Sequence, residues 1–397
     1  MLVSPPPVAP QEPKPSLRKE AREWQARARE FADQVVRPVG QVLDRLDADR
    51  VTARGSPLYD FLAQAQREGF TRLTDPPSGG GLGLSHAIEY LVLEELATAD
   101  PGLTAVLVAS PQPYRWVAAA GSDATVAELS RPWFAQERLG WSGCCATRGR
   151  VQASRDGDGW VLVGSTSAWV TGAASATHAL IACAVDDGVR YRHGFAVVPL
   201  DRAGVVRGSA VELLGLRTQA RARLVLDGVH ISAEELLRGP VGAHRAMAHI
   251  ATAIMAVGVG RAAYEGSLRL VREHIEERGS RQEQHDAQRR LLRMFTRLEA
   301  ARSLTRAVHL YTTGRLDAGA DCATQNAAGA QAFAAEAALE IVDAAMEICG
   351  TRADVTGGVE YPDGSMFHPE KLLRDAQTFK VARPIGARPA PLAAAHH

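Results

Sequence analysis

Residues 159–174 read Gly-Trp-Val-Leu-Val-Gly-Ser-Thr-Ser-Ala-Trp-Val-Thr-Gly-Ala-Ala, and the fold turns on how this stretch is read. Trp160, Val161, Leu162 and Val163 favour a strand. Gly164-Ser165-Thr166-Ser167 has turn chemistry, and Trp169-Val170-Thr171 then reads as a second short strand stopped by Gly172. Asp156-Gly157-Asp158-Gly159 marks a tight turn just before. Ala179 to Val185 follows as a third strand. On pattern alone this is a meander whose Trp and Val side chains pack a core.

Working outward, the chain has 397 residues, enough for two or three packed regions. Its 45 Lys and Arg balance its 45 Asp and Glu, which argues against nucleic acid or an anionic membrane as partner. The five cysteines, at 144, 145, 183, 322 and 349, show no zinc-ribbon or CxxC spacing, so no metal site is expected. Their odd number and a Pro-rich rather than signal-like N-terminus suggest reduced thiols in the cytoplasm. No apolar run is expected to reach transmembrane length.

Residues 1–15 read as a disordered, Pro-rich tail, with Ser16 as N-cap of the first helix. Trp24, Ala28, Phe31, Val35, Val42 and Leu46 form one buried stripe, with Pro38 kinking or splitting the helix. A second helix runs from Leu58 to Gly69. Ser85 caps a third, His86 to Ala99, and its Glu94 and Glu95 read as surface or dimer-contact charges. More helix follows from Ala105 to Glu137, and the β-region begins at Leu139-Gly140-Trp141. From Ala243 the chain is helical again, with stripes at Leu291, Phe295, Leu298, Ala301 and Val308, and across Ala323–Ala345. The expected divisions are a 16–137 helical domain, a 138–240 β-domain, a 241–385 helical bundle and a disordered tail at 386–397.

Three motifs together resemble the acyl-CoA dehydrogenase family. They are the Asp156-to-Ala184 meander, the Gly79-Gly80-Gly81-Leu82-Gly83-Leu84 turn before a helix carrying Glu94-Glu95-Leu96, and Arg374-Asp375-Ala376. The resemblance spans roughly residues 17 to 383. It implies an α+β, mostly helical fold with an N-terminal helical domain, a central β-barrel-like domain and a C-terminal four-helix bundle, assembled as a homodimer or homotetramer. It also implies FAD and an acyl-CoA or carrier-protein-bound thioester, the latter suggesting secondary metabolism. By the same resemblance Trp169 shields the flavin and the Thr171 hydroxyl bonds near N5. Ser142 falls in the segment near flavin and thioester. Arg278 and His285 match the loop reaching a partner's FAD, and Gly350, Gly357 and Gly358 loosely match the adenine loop.

The resemblance fails where the chemistry should be. A thioester α-proton is weakly acidic and is usually taken by a desolvated Glu. One of the family's two positions for that Glu falls on Arg383, which cannot accept a proton. The other falls near Ile250, beside His249. His249 and His244 are the substitutes the sequence offers. Cys144 and Cys145 sit at the thioester segment, where Arg148 or Arg150 could activate a thiol. Three readings follow: a flavin-dependent dehydrogenase with an atypical base, a flavin-dependent monooxygenase of the same fold, or a degenerate relative with redox-neutral or binding-only function.

Overall fold

The computed structural model describes residues 15–147, 149–166, 169–186, 191–237, 241–275, 280–314, 320–354 and 357–381. Arg278 and Arg383 lie outside these residues. The N-terminal region is helical. It comprises α1 (Pro15–Phe31), α2 (Arg37–Leu43), α3 (Ala48–Val51), α4 (Pro57–Arg67), α5 (His86–Ala99), α6 (Pro101–Ala109), α7 (Gln112–Ala120), α8 (Asp123–Thr125) and α9 (Arg131–Phe134). Ser16 lies inside α1 rather than capping it, because the helix already starts at Pro15, a residue suited to a first turn. Pro38 sits in the first turn of α2, where its missing N–H is not needed, and a π-turn at Ala32–Val36 absorbs the change of register. That turn rotates Val42 out of the stripe, leaving it half exposed. Ser56 and Ser85 cap α4 and α5 by accepting from Leu58 N and Ile88 N.

Glu94 and Glu95 are buried, which corrects their reading as surface charges. α5 packs against α1 and the later bundle, so two consecutive residues are both covered. Burial is tolerated because arginines converge on them. Arg302 reaches Glu94 at 2.8 Å, while Arg261 and Arg29 each reach Glu95 at 2.8 Å.

The central region is a mixed sheet with strand path β6-β7-β3-β2-β4-β5-β8 and β1 added parallel to β4. Its strands are β1 (Gly143–Ala146), β2 (Gly149–Asp156), β3 (Gly159–Thr166), β4 (His178–Asp186), β5 (Tyr191–Pro199), β6 (Val205–Arg207), β7 (Leu224–Ile231) and β8 (Leu236–Leu237). The β-region therefore opens at Gly143, four residues after Leu139. Gly164-Ser165-Thr166 is strand, not turn. The pairing of β3 with β7 shifts register between Leu162 and Gly164, and Gly164 takes φ +131°. A Cβ there would strike the Arg150 carbonyl oxygen, so the glycine marks a bulge. Trp169-Val170-Thr171 forms no strand. Val170 makes a single antiparallel bridge to Ala222, and Trp169 is 56% exposed.

The C-terminal region is a four-helix arrangement of α10 (Val241–Leu270), α11 (Arg281–Thr313), α12 (Ala320–Cys349) and α13 (Pro369–Val381). Alanines 334, 335, 337 and 338 of α12 are buried and let it close on α10. On α11, Leu291, Leu298 and Ala301 face the core, but Phe295 is exposed against Tyr264. Contrary to expectation, residues 244–273 are long and apolar enough to cross a membrane by composition. Most of that window is buried as the central helix of the bundle.

Candidate active site

A cavity of about 320 Å³ lies where the three regions meet. Its wall takes Glu89 from α5, Gln112 and Arg115 from α7, Cys145 from β1, and Thr171, Gln219 and Arg221 from the loops beside the sheet. The bundle adds His244, His249, His309, Gln331 and Phe379. Of the residues singled out from sequence, Thr171, His244, His249 and Cys145 meet here. Ile250 also lines it, so the second glutamate position is on the wall but apolar. Ser142 is buried and is not on the cavity wall, its hydroxyl turned to the Ser175 carbonyl at 3.4 Å. His285 is exposed on α11. Gly350 follows the end of α12 at φ +59°, and Gly358 abuts His368. None of these last three, nor Gly357, lines the cavity.

The histidines differ in what their nitrogens are doing. His244 accepts from Trp116 Nε1 at Nδ1 (3.3 Å), so Nε2 carries the hydrogen and faces Cys145 Sγ at 3.0 Å. Burial lowers its pKa to about 4 and pushes the Cys145 thiol well above its usual value, and Cys144 up to about 12. The pair is thus neutral, and neither cysteine is the activated thiol the sequence allowed. His249 places Nδ1 2.6 Å from Gln331 Oε1. A carboxamide oxygen only accepts, so Nδ1 donates and Nε2 holds the lone pair. His309 places Nε2 3.0 Å from the His86 carbonyl, and its Nδ1 is buried without a partner.

Glu89 is the one carboxylate on the cavity wall among the described residues. Burial raises its pKa, but the His86 hydrogen bond at 2.9 Å and the charge of Arg115 outweigh that, so it stays below the usual range. Glu89, His309, Gln219, Arg221 and Gln331 were not singled out from sequence. Their types are unremarkable, and only the packing of distant helices gathers them.

Two orphaned polar groups test the cavity for a flavin. Gln219 is 3% exposed and its Oε1 meets no donor. The Arg221 side chain makes no hydrogen bond or ion pair with a described residue, and its Nε is buried. With the Thr171 hydroxyl they offer the mixed donors and acceptors that the polar rim of a flavin ring needs. The residues fit the group.

Family models for the acyl-CoA dehydrogenase N-terminal and C-terminal domains match residues 18–134 and 245–383. The chain belongs to the acyl-CoA dehydrogenase family. A 3-sulfinopropanoyl-CoA desulfinase of Variovorax paradoxus is 26% identical over 387 residues, covering 90% of this chain and 89% of the relative. Butyryl-CoA dehydrogenase from Megasphaera elsdenii superposes with a TM-score of 0.76 at 18% identity, covering 91% and 94% of the two chains. The prolyl acyl carrier protein oxidase AnaB gives 0.76 at 19%, covering 92% and 95%. Members of the family are flavoproteins, so FAD is the cofactor the fold implies.

The buried histidines give the family fold here an acid limit. His178, packed under Tyr114 and Trp141, has its pKa lowered by burial to about 4, as does His244. The unfolded chain takes up protons near pH 6.5, the folded one only near 4. Their stability is complete above 6.5 and is lost as pH falls toward 4. The pair should cost on the order of a few kcal/mol across that window. Melting curves at pH 7 and 5 check this, and His244→Phe should shrink the difference. An equal drop in wild type and variant would assign the loss elsewhere.

Proposed function

We propose that this chain is a flavin-dependent oxidoreductase that removes hydrogen from an acyl thioester carried by CoA or by a carrier protein. The observation that supports it is the Thr171–Gln219–Arg221 wall, three polar side chains on one side of the cavity, of which Gln219 and Arg221 have buried polar atoms without partners. Bound FAD supplies the hydride acceptor for this chemistry. Thr171 on the cavity wall would orient the reacting face of that group, and Trp169, two residues away and exposed, would shield it from water. The α-proton goes to His249 Nε2, with Gln331 fixing the tautomer as a carboxylate does in a catalytic triad. The neutral Cys145–His244 pair adds an N–H beside the thiol without adding charge.

The purified chain is expected to retain a visible flavin band after FAD loading and desalting. That band should bleach anaerobically with a short acyl-CoA. A colourless protein that rejects FAD would remove the flavoprotein reading. The absence of a carboxylate at position 250 favours a second reading, redox-neutral cleavage on the same thioester. Product formed with no bleaching would select it.

A further inference from the structure

The cavity contains a positive charge that no described residue answers. Arg115 is paired with Asp75 at 2.7 Å, and Arg245 donates to the Thr147 carbonyl at 3.3 Å. Arg221 alone of the cavity arginines has no such partner among the described residues. Burial is the one influence on its guanidinium and pulls its pKa below the ordinary arginine value. A guanidinium that loses water and gains no carboxylate is unfavourable unless a ligand brings the compensating charge.

Two neighbours narrow that ligand. The antiparallel bridge Val170↔Ala222 places Thr171 across from Arg221 on one rim. Two residues away, Gln219 Oε1 is buried and needs a donor. A carboxylate or phosphate offers only acceptors and leaves that oxygen unanswered. The pyrimidine end of a flavin ring offers both, carbonyl oxygens either side of an N–H. On reduction it is also where negative charge accumulates.

We propose that Arg221 sets the electron affinity of the bound flavin, its guanidinium facing the pyrimidine edge beside Thr171 and Gln219. This rests on the flavoprotein reading above. When the substrate's β-carbon gives up a hydride, two electrons and one proton enter the ring, and the α-proton goes to a base. The ring gains one unit of negative charge. A fixed cation beside it stabilises that product over the oxidised ring and raises the reduction potential.

The test uses the FAD-loaded protein with Arg221→Met, which keeps length and removes charge, and Arg221→Lys, which keeps charge. The readouts are the flavin midpoint potential by dye equilibration and the affinity of the oxidised flavin for sulfite. Arg221→Met should lose at least tenfold in the reduction equilibrium, a downward shift of about 30 mV or more for a two-electron couple. Sulfite affinity should fall with it, and Arg221→Lys should stay close to wild type. If Arg221→Met releases FAD, Arg221→Gln replaces it in the same measurement. An unchanged potential in the charge-deleted variant overturns the proposal. So does an unchanged potential with lost preference for succinyl-CoA over butyryl-CoA, which would give the cation to an anionic substrate. A wild-type chain that takes up no FAD fails earlier, and the flavoprotein reading falls with the proposal.

Discussion

Replacing Lys371 with methionine is expected to destabilise the protein by about 3–5 kcal/mol, a large share of the net stability of an ordinary domain. Lys371 on α13 places Nζ 3.0 Å from Asp100 and 2.8 Å from Asp375, and both carboxylates are 0% exposed. Each carboxylate holds backbone from a different region. Asp100 caps α6 through Leu103 N at 2.7 Å and accepts from the Thr218 hydroxyl at 2.6 Å. Asp375 accepts from Leu216 N at 2.6 Å. Arg374, its chain neighbour, pairs with Asp44 at 2.6 Å and helps hold that carboxyl below its usual range despite burial. Burial opposes the lysine charge, but Asp100 and Asp375 overcome it and hold the pKa above that of a free lysine. The methionine variant would leave two like charges buried without a cation. A urea titration reads the loss as a lower midpoint at constant slope. Lys371→Met combined with Asp375→Asn should recover part of it, because one stranded charge is gone. An unchanged midpoint in the single variant would mean that water reaches these carboxylates and that the network is not the joint between regions.

That network shows what the sequence could and could not say. Arg374-Asp375-Ala376 was legible as a motif, and it lies within the expected C-terminal helical bundle, on α13. Its job was not legible, since its partners include Asp44 and Leu216, up to 330 residues away. The same gap separates Glu94 and Glu95 from the surface role their charge suggests. Nothing in a Glu-Glu-Leu triplet announces arginines 261 and 302. Helix caps and amphipathic stripes were readable because they depend on residues a few positions apart. Gly164 reads as a turn for a physical reason. A glycine with positive φ serves turns and bulges alike, and only the neighbouring strand decides between them. In the site, Thr171 was found through a motif. Arg221 and Gln219 were not, because what marks them is the absence of partners, a property of the packed chain.

The largest expected loss of activity belongs to His249→Ala. Removing a general base lowers turnover by about 10²–10⁴-fold, or roughly 3–5 kcal/mol of barrier. The choice falls on His249 by comparing the basic groups on the wall. His244 has its pKa lowered to about 4, and its Nδ1 already accepts from Trp116. His309 presents its lone pair at an atom buried from the open space. Glu89 is held below the usual carboxylate range by His86 and Arg115, which weakens it as a base for a feebly acidic C–H. His249 donates to Gln331 from one nitrogen, so the other carries the lone pair on a residue that lines the cavity. His249→Ala should therefore keep FAD and thioester affinity while losing kcat, and the acid limb of its pH–rate profile should vanish. Gln331→Leu acts through the imidazole's orientation, so it should lower kcat less, and Gln331→Glu should restore much of it by offering the same acceptor. Full activity in His249→Ala together with loss in Glu89→Gln would move the base to α5, where the acceptor would be a carboxylate on another wall of the cavity.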